Sequence, residues 1–165
     1  MGCATALHAA CQRPERVRAL VLVTPPTAWQ WREKRKRGYR VTANVVKFTR
    51  GLPLRLLGLL RIKRSADFRK NMLSVMADHL AGVKPEGVVG ALRGASLSDF
   101  PPRQELARLD MPVLILAWPG DATHPLAVAE ALHKTLPNAQ LEVMTHPSDP
   151  YRWPQLVRTF MTSLD

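Results

Sequence analysis

The stretch that decides the fold is PVLILAW at residues 112–118, in which every residue is apolar. A short aliphatic run without polar alternation is typical of a strand buried on both faces, as the strands of parallel sheets are. A second such run, RALVLV at residues 18–23, ends at Thr24-Pro25-Pro26, and a weaker, alternating run, AQLEVM at residues 139–144, is typical of an edge strand. The sequence therefore predicts three strands of one parallel sheet.

The segment between the second and third strands predicts the topology. Residues 125–136, PLAVAEALHKTL, have the spacing of an amphipathic helix with a proline in its first turn. A strand, a helix and a strand joined by short links form a right-handed parallel crossover. A closing helix over residues 153–164 would cover the sheet again, and the predicted fold class is therefore α/β.

A long stretch separates the first two strands, and it carries only helical periodicity. Its predicted helices cover residues 41–48, 52–60, 68–80 and 88–97. The apolar segment at 51–60 could lie in a membrane interface, but a lid that packs over a substrate pocket explains the same pattern without a membrane. We therefore predict a helical insertion that serves as a lid.

The formal net charge of +11, from 24 basic and 13 acidic residues, is concentrated in one part of the chain. Between residues 32 and 70 the sequence has 14 lysines and arginines but only Glu33 and Asp67 as acids. Such a block could meet phosphates or an anionic surface, yet basic helices are more often solvated faces, and no RNA-recognition or zinc-finger pattern is present. We therefore expect neither nucleic acid nor a membrane as a partner. The alternative interpretation of the chain is a basic module that binds nucleic acid or anionic lipid.

Cysteine usage bears on the compartment and on metals. Cys3 and Cys11 lie about two helical turns apart in an alanine-rich stretch, without the spacing of a metal-ligand pair. This pattern favours small reduced core residues, and the first residues lack the basic region and apolar stretch of a signal peptide. The prediction is a cytoplasmic protein without a metal or a cofactor.

Taken in order, these segments resemble the C-terminal half of an α/β-hydrolase. Met1-Gly2 resembles the last two letters of the family's G-x-S-x-G nucleophile elbow, and CATALHAA at 3–10 resembles the small-residue helix behind it. The resemblance continues through PERVRALVLV at 14–23, MPVLILA at 111–117, GDATHP at 120–125 and LPNAQL at 136–141. It implies a partial α/β-hydrolase fold, with core segments 1–27 and 100–165 and a lid or cap insertion at 28–99.

The resemblance implies a triad acid at Asp121, which follows a buried strand at the end where open α/β sheets place their sites. Asp121 could instead only shape the turn before Pro125. For the triad base the resemblance points to His146, although His146 stands early in its loop and Asp149 is nearer the position of the family's histidine. A surface histidine is equally consistent with His146, and His124, which shares the loop of Asp121, is a poorer third candidate.

The resemblance also implies that the catalytic serine would be the residue immediately before Met1. The backbone N of Met1 would then be one donor of the oxyanion hole, and the second donor would come from a loop further upstream. We therefore expect the chain as written to be inactive by the serine mechanism. Four serines within the chain offer no convincing substitute: Ser74, Ser96 and Ser98 fall in or beside the predicted lid, and Ser148 lies beyond the last strand without an elbow.

The predicted function is hydrolysis of an ester-like or related acyl bond of a small molecule by the full-length parent of this chain, through Ser, His and Asp. A non-catalytic relative is the alternative that the position of His146 leaves open. The strand at 18–23 would expose one edge of the sheet in this chain, and self-association through that edge is expected.

Overall fold

The computed structural model describes residues 2–53, 56, 82–146 and 148–164, except for the side chain of Lys34. The chain packs as two compact units: the sheet unit comprises Met1–Arg32 and Asp99–Asp165, and the helical unit comprises Glu33–Ser98. Most of the helix predicted at 52–60 and all of the helix predicted at 68–80 lie outside the described residues. The assignment of a lid to residues 28–99 stays a prediction.

The sheet in the described residues consists of three parallel strands: β1 Leu20–Val23, β2 Val113–Ala117 and β3 Ala139–Val143. β2 lies in the middle, paired with β1 on one side and with β3 on the other. Ile115 at its centre is opposite Leu22 and Leu141 and is fully buried. The predicted strands and their parallel arrangement are confirmed, because an uninterrupted apolar run is stable only when both faces of the sheet are covered.

Six α-helices lie wholly within the described residues: α1 Gly2–Gln12, α2 Glu33–Phe48, α3 Pro85–Leu97, α4 Arg103–Leu106, α5 Leu126–Thr135 and α6 Trp153–Thr162. Short 3-10 turns lie at Pro14–Arg16, Trp29–Trp31 and Asp149–Arg152. Within this part of the chain, no helix combines the length and the apolar composition needed to cross a membrane.

Three of these helices differ from what the apolar periodicity predicts. α2 begins at Glu33 and not at Val41, because the lysines and arginines between these positions favour a helix without adding an apolar stripe. α3 begins at Pro85, three residues before the predicted start, since a proline is well accommodated in a first turn. α4 is not predicted, because its four residues are too few to show a period.

The core of the sheet unit has a layer on each face of β2, whose five residues are all buried. Ile115 belongs to one apolar cluster with Leu7 of α1 and Leu132 of α5. Leu116, the next residue along the strand, belongs to a separate cluster with Phe160 of α6. Because successive side chains of a strand point to opposite faces, helices cover the sheet on both sides.

The helical unit is built on α2 and α3, which pack through Ala43, Val46 and Val89. After α2 the chain makes a tight turn at Gly51, which has a left-handed backbone angle, φ = 78°. The Gly51 N–H donates to Val46 O at 2.9 Å, and a Cβ added at Gly51 would lie 2.6 Å from Cγ of Pro85. Both the backbone angle and the close approach of Pro85 therefore require a glycine at this position.

Candidate active site

The loop that follows β2, residues 118–125, carries the predicted acid at the carboxyl end of the sheet. Gly120 adopts a left-handed conformation, φ = 78°, which turns the chain away from the strand. The loop is tied to the segment after β1, because the Thr27 N–H donates to Thr123 O at 3.0 Å. Open α/β sheets place their ligands and catalytic residues at this end of the strands. Asp121 therefore lies where the fold favours a site.

Asp121 is the centre of a hydrogen-bond network within this loop. Its Oδ1 accepts from the backbone N–H of Thr123 at 2.7 Å and from that of His124 at 3.2 Å. Its Oδ2 lies 2.7 Å from Nδ1 of His124. Because an ionised carboxylate can only accept, Nδ1 of His124 carries the hydrogen of this bond. Asp121 and His124 therefore form an acid–imidazole pair.

The electrostatic balance at Asp121 favours the carboxylate. Burial is the largest single influence, and by itself it raises the pKa of Asp121. The hydrogen bonds from the His124 ring and from the backbone N–H groups of Thr123 and His124, with the charge of a protonated His124, together outweigh burial. The pKa of Asp121 consequently lies below its ordinary value, and the side chain is ionised at neutral pH.

The hydrogen bond between Asp121 and His124 has the direction that base catalysis by an imidazole requires. In a serine-type triad the acid binds Nδ1–H, which leaves Nε2 to accept the proton of the nucleophile. His124 has this arrangement, and its side chain is 33% exposed. By sequence alone His124 ranks below His146. The signal that could have found it is the spacing, because a histidine three residues after an aspartate can fold back onto the carboxylate within one turn.

His146, the predicted base, lies in the loop between β3 and α6 and bonds to Ser148. Ser148 Oγ lies 2.6 Å from His146 Nδ1, and the Ser148 N–H donates to the same nitrogen at 3.3 Å. Since a backbone N–H can only donate, Nδ1 is an acceptor and the neutral ring carries its hydrogen on Nε2. In this tautomer Nε2 cannot accept a proton from a nucleophile. The role of His146 as the base stays a prediction, one that requires the ring to change partners.

Asp149, which stands near the position of the family's histidine, shapes the same loop. Its Oδ2 accepts from the N–H of His146 at 2.8 Å and from that of Thr145 at 3.1 Å, and its own N–H donates to His146 O at 3.0 Å. The bond from His146 is the largest of the influences that lower the pKa of Asp149. Asp149 therefore holds the backbone of this loop through these three hydrogen bonds.

An aromatic stack joins the ends of the elements that carry the two loops. Trp118 directly follows β2, and Trp153 is the first residue of α6. Their ring centroids are 5.1 Å apart and their planes are inclined by 12°. The stack holds the start of α6 against the end of β2. It thereby also positions the segment that follows His146 and the segment that precedes Asp121. This contact is not predicted from the sequence, because nothing local marks two distant tryptophans as partners.

The remaining residues from the sequence analysis are Met1, the predicted oxyanion donor, and the serines that offer no convincing nucleophile. Met1, whose backbone N is the predicted oxyanion donor, and Ser74 lie outside the described residues. Ser96 is buried, and its Oγ donates to Arg93 O at 2.7 Å within α3. In the described ranges, no group of three or more His, Cys, Asp or Glu side chains is arranged to hold a metal ion.

Comparisons with known proteins bear on the fold and on the family. The sequence profile of the family described as alpha/beta hydrolase fold matches residues 1–157. The structure is similar to a thermophilic esterase from Thermogutta terrifontis, with a TM-score of 0.74 and 22% identity over 99% of this chain and 62% of that one. It is also similar to the enol-lactonase from Burkholderia xenovorans LB400, with a TM-score of 0.65 and 18% identity over 98% of this chain and 62% of that one. Among curated proteins, none matches the chain.

A second esterase, RhEst1 from Rhodococcus sp. ECU1013, has a TM-score of 0.64 and 22% identity over 96% of this chain and 60% of its own. The chain thus spans 60–62% of the length of these three structures. At identities of 18–22%, the similarity to these structures establishes the fold alone. The family profile covers residues 1–157 and establishes the family. The chain belongs to the family of the alpha/beta hydrolase fold.

Proposed function

We propose that the protein to which this chain belongs hydrolyses ester-like or related acyl bonds of small molecules, with Asp121 as the acid and His124 as the imidazole base. The observation that carries the proposal is the 2.7 Å contact between Asp121 Oδ2 and His124 Nδ1 at the carboxyl end of β2. Two esterases and a lactonase among the similar structures support the reaction class. Because the chain spans 60–62% of those structures, the activity is proposed for the whole protein.

The nucleophile in this proposal is a serine upstream of Met1, at the elbow that Met1-Gly2 resembles. His124 Nε2 takes the proton of the serine hydroxyl as Oγ attacks the carbonyl carbon, and Asp121 stabilises the imidazolium through Nδ1–H. The carbonyl electron pair moves to oxygen, and its return expels the alcohol, which leaves with the proton from Nε2. A water molecule then repeats the sequence on the acyl-enzyme, with its proton passing to Nε2, and releases the acid and the free serine.

The second candidate for the base is His146, to which the family resemblance points. For His146 to serve, its ring would have to leave Ser148, protonate Nδ1 and bond to Asp121 in place of His124. The bond that His124 already makes to Asp121, in the tautomer that a base needs, favours His124.

The helical unit is proposed to act as the lid or cap over the substrate, as the sequence predicts. Its place in the chain between β1 and β2 and its separate packing support this role. A reducing, cytoplasmic location is part of the proposal. It is supported by Cys3 and Cys11, which are both free, and burial raises the pKa of the Cys3 thiol, as expected for a packing residue.

The test is turnover of p-nitrophenyl acetate by the protein extended upstream through the Gly-x-Ser elbow and the preceding strands, beside the chain as written. We expect activity only in the extended protein. Asp121→Asn and His124→Gln should each lower kcat by about 10³-fold or more, whereas His146→Gln should lower it less than about tenfold. Circular dichroism of each variant checks that it is folded.

Two results would overturn parts of this assignment. If His146→Gln loses activity and His124→Gln retains it, His146 is the base. A folded but inert extended protein, which also fails to react with a serine-directed fluorophosphonate, would favour the non-catalytic relative.

A further inference from the structure

One face of α2 exposes a row of apolar side chains to solvent. Val41 is 62% exposed, Val45 is 46% exposed and Phe48 is 91% exposed. Their spacing of four and then three residues places them above one another on a single helix face. We call these three residues the apolar stripe.

The apolar stripe is not the packing face of α2. The helix packs on α3 through Ala43 and Val46, which are 0% and 3% exposed and which contact Val89. At about 100° per residue, these two positions lie roughly opposite Val41 and Phe48 on the helix. The stripe is therefore apolar surface in excess of what the helix needs for its own packing.

Basic residues accompany the apolar stripe along the helix. Arg37 lies one turn before Val41 on the same face, and Arg40 and Lys47 lie seven residues apart on the adjacent row. A helix with an apolar stripe flanked by lysine and arginine has the pattern of helices that lie in the interface of an anionic bilayer.

A basic cleft lies between the end of α2 and the start of α3, on the packing side of α2. It has a volume of about 180 Å³ and is lined by Lys47, Arg50 and Arg93 as cations, with Glu86 as the carboxylate among its described lining residues. The close approach of Gly51 to Pro85, at the start of α3, fixes the distance between the two walls. Because Pro85 and Val89 of α3 line it, the cleft lies on the packing side of α2, and the cations around the apolar stripe are those of α2 itself.

We propose that the helical unit docks on an anionic lipid surface, with the apolar stripe in the acyl boundary and Arg37, Arg40 and Lys47 of α2 on the lipid phosphates. Charge complementarity argues for this partner, because three cations of α2, Arg37, Arg40 and Lys47, lie on the face of the stripe or on the adjacent row. A nucleic acid would satisfy the cations but would leave the side chain of Phe48 in water. The proposal does not depend on the proposed hydrolase activity.

The experiment is co-sedimentation of the chain with sonicated vesicles of phosphatidylcholine alone or with about 30% phosphatidylglycerol, at about 0.15 M salt. We expect binding to the anionic vesicles only. Phe48→Ser should weaken partitioning about tenfold or more, since a buried aromatic side chain is lost from the bilayer. Arg40→Gln and Lys47→Gln should each weaken it about fivefold, which corresponds to about 1 kcal/mol per basic residue near an anionic surface. Arg93→Gln, on the packing side, should change it less than about twofold.

Matched controls come from the same chain. Leu97→Ser removes an apolar side chain that is 77% exposed on α3 but is not part of the apolar stripe, and it should leave partitioning unchanged. Lys134→Gln removes an exposed charge of the sheet unit and should change it less than about twofold.

Three outcomes would overturn the proposal. One is equal binding to neutral and anionic vesicles, or none to either. Another is binding to anionic vesicles that Phe48→Ser leaves unchanged, with equal affinity for a DNA duplex, which would make the surface a polyanion site. The third is a dimer in light scattering that Phe48→Ser dissociates, which would make the apolar stripe an interface between copies of the chain.

Discussion

Two substitutions of Asp121 can distinguish the contribution of its bond to the His124 ring from that of its bonds to the loop backbone. Asp121→Asn keeps an oxygen for the backbone N–H groups of Thr123 and His124, but it places an amide donor opposite Nδ1–H of His124. Asp121→Ala removes all three acceptor contacts. The two variants therefore distinguish the acid–imidazole bond from the capping of the loop.

The expected magnitudes follow from the geometry. A hydrogen bond to a charged group contributes about 1.5–3 kcal/mol when buried. The side chains of Asp121 and His124 are 26% and 33% exposed, so the lower part of that range is appropriate. We expect Asp121→Asn to lower the free energy of unfolding by about 1.5 kcal/mol. Asp121→Ala should lower it by about 2–3 kcal/mol, since two backbone N–H groups also lose their acceptor.

Urea unfolding followed by tryptophan fluorescence measures these changes in the sheet unit alone. All four tryptophans belong to that unit: Trp29, Trp31, Trp118 and Trp153. His133→Gln, an exposed change on α5, serves as the control and should shift the unfolding free energy by less than about 0.5 kcal/mol.

The difference between the natural chain and Asp121→Asn should depend on pH. The pKa of Asp121 is lowered in the folded state, so its carboxylate stabilises the fold above the ordinary value of about 3.9. That stabilisation is lost as the pH falls through the lower folded-state pKa. Equal stability of all three proteins at pH 7, or a difference that grows on acidification below pH 4, would refute the reasoning.

Gly51→Ala should destabilise the helical unit by about 2 kcal/mol or more, because left-handed φ costs about 1–2 kcal/mol and the new Cβ would meet Pro85. Gly90→Ala, where an added Cβ meets nothing within 4 Å, should instead stabilise α3 by about 0.5–1 kcal/mol, and thermal unfolding by circular dichroism compares the two. Ile115→Ala should cost the sheet unit about 2–5 kcal/mol, and an unchanged urea midpoint would contradict this. Self-association through β1 should appear in light scattering as oligomers that Val23→Lys reduces, and a monomeric natural chain would speak against it.

The sequence by itself determined the sheet. The runs at 18–23 and 112–118 have no polar alternation, and such runs are stable only where helices cover both faces, so parallel strands and their crossover follow from composition and order. The sequence also determined the family, through segments spread from Met1 to Leu141. The start of α2 at Glu33 was not predicted, because basic residues favour a helix without leaving an apolar period.

Only the tertiary structure decided which histidine meets Asp121. Both His124 and His146 follow a strand of the sheet, and the family resemblance pointed to His146 although it stands early in its loop. The turn at Gly120 and the backbone bonds to Asp121 bring the ring of His124 to the carboxylate, while Ser148 holds the ring of His146. Side-chain direction depends on loop dihedral angles and on competing partners, and neither can be obtained from a local pattern of residue types.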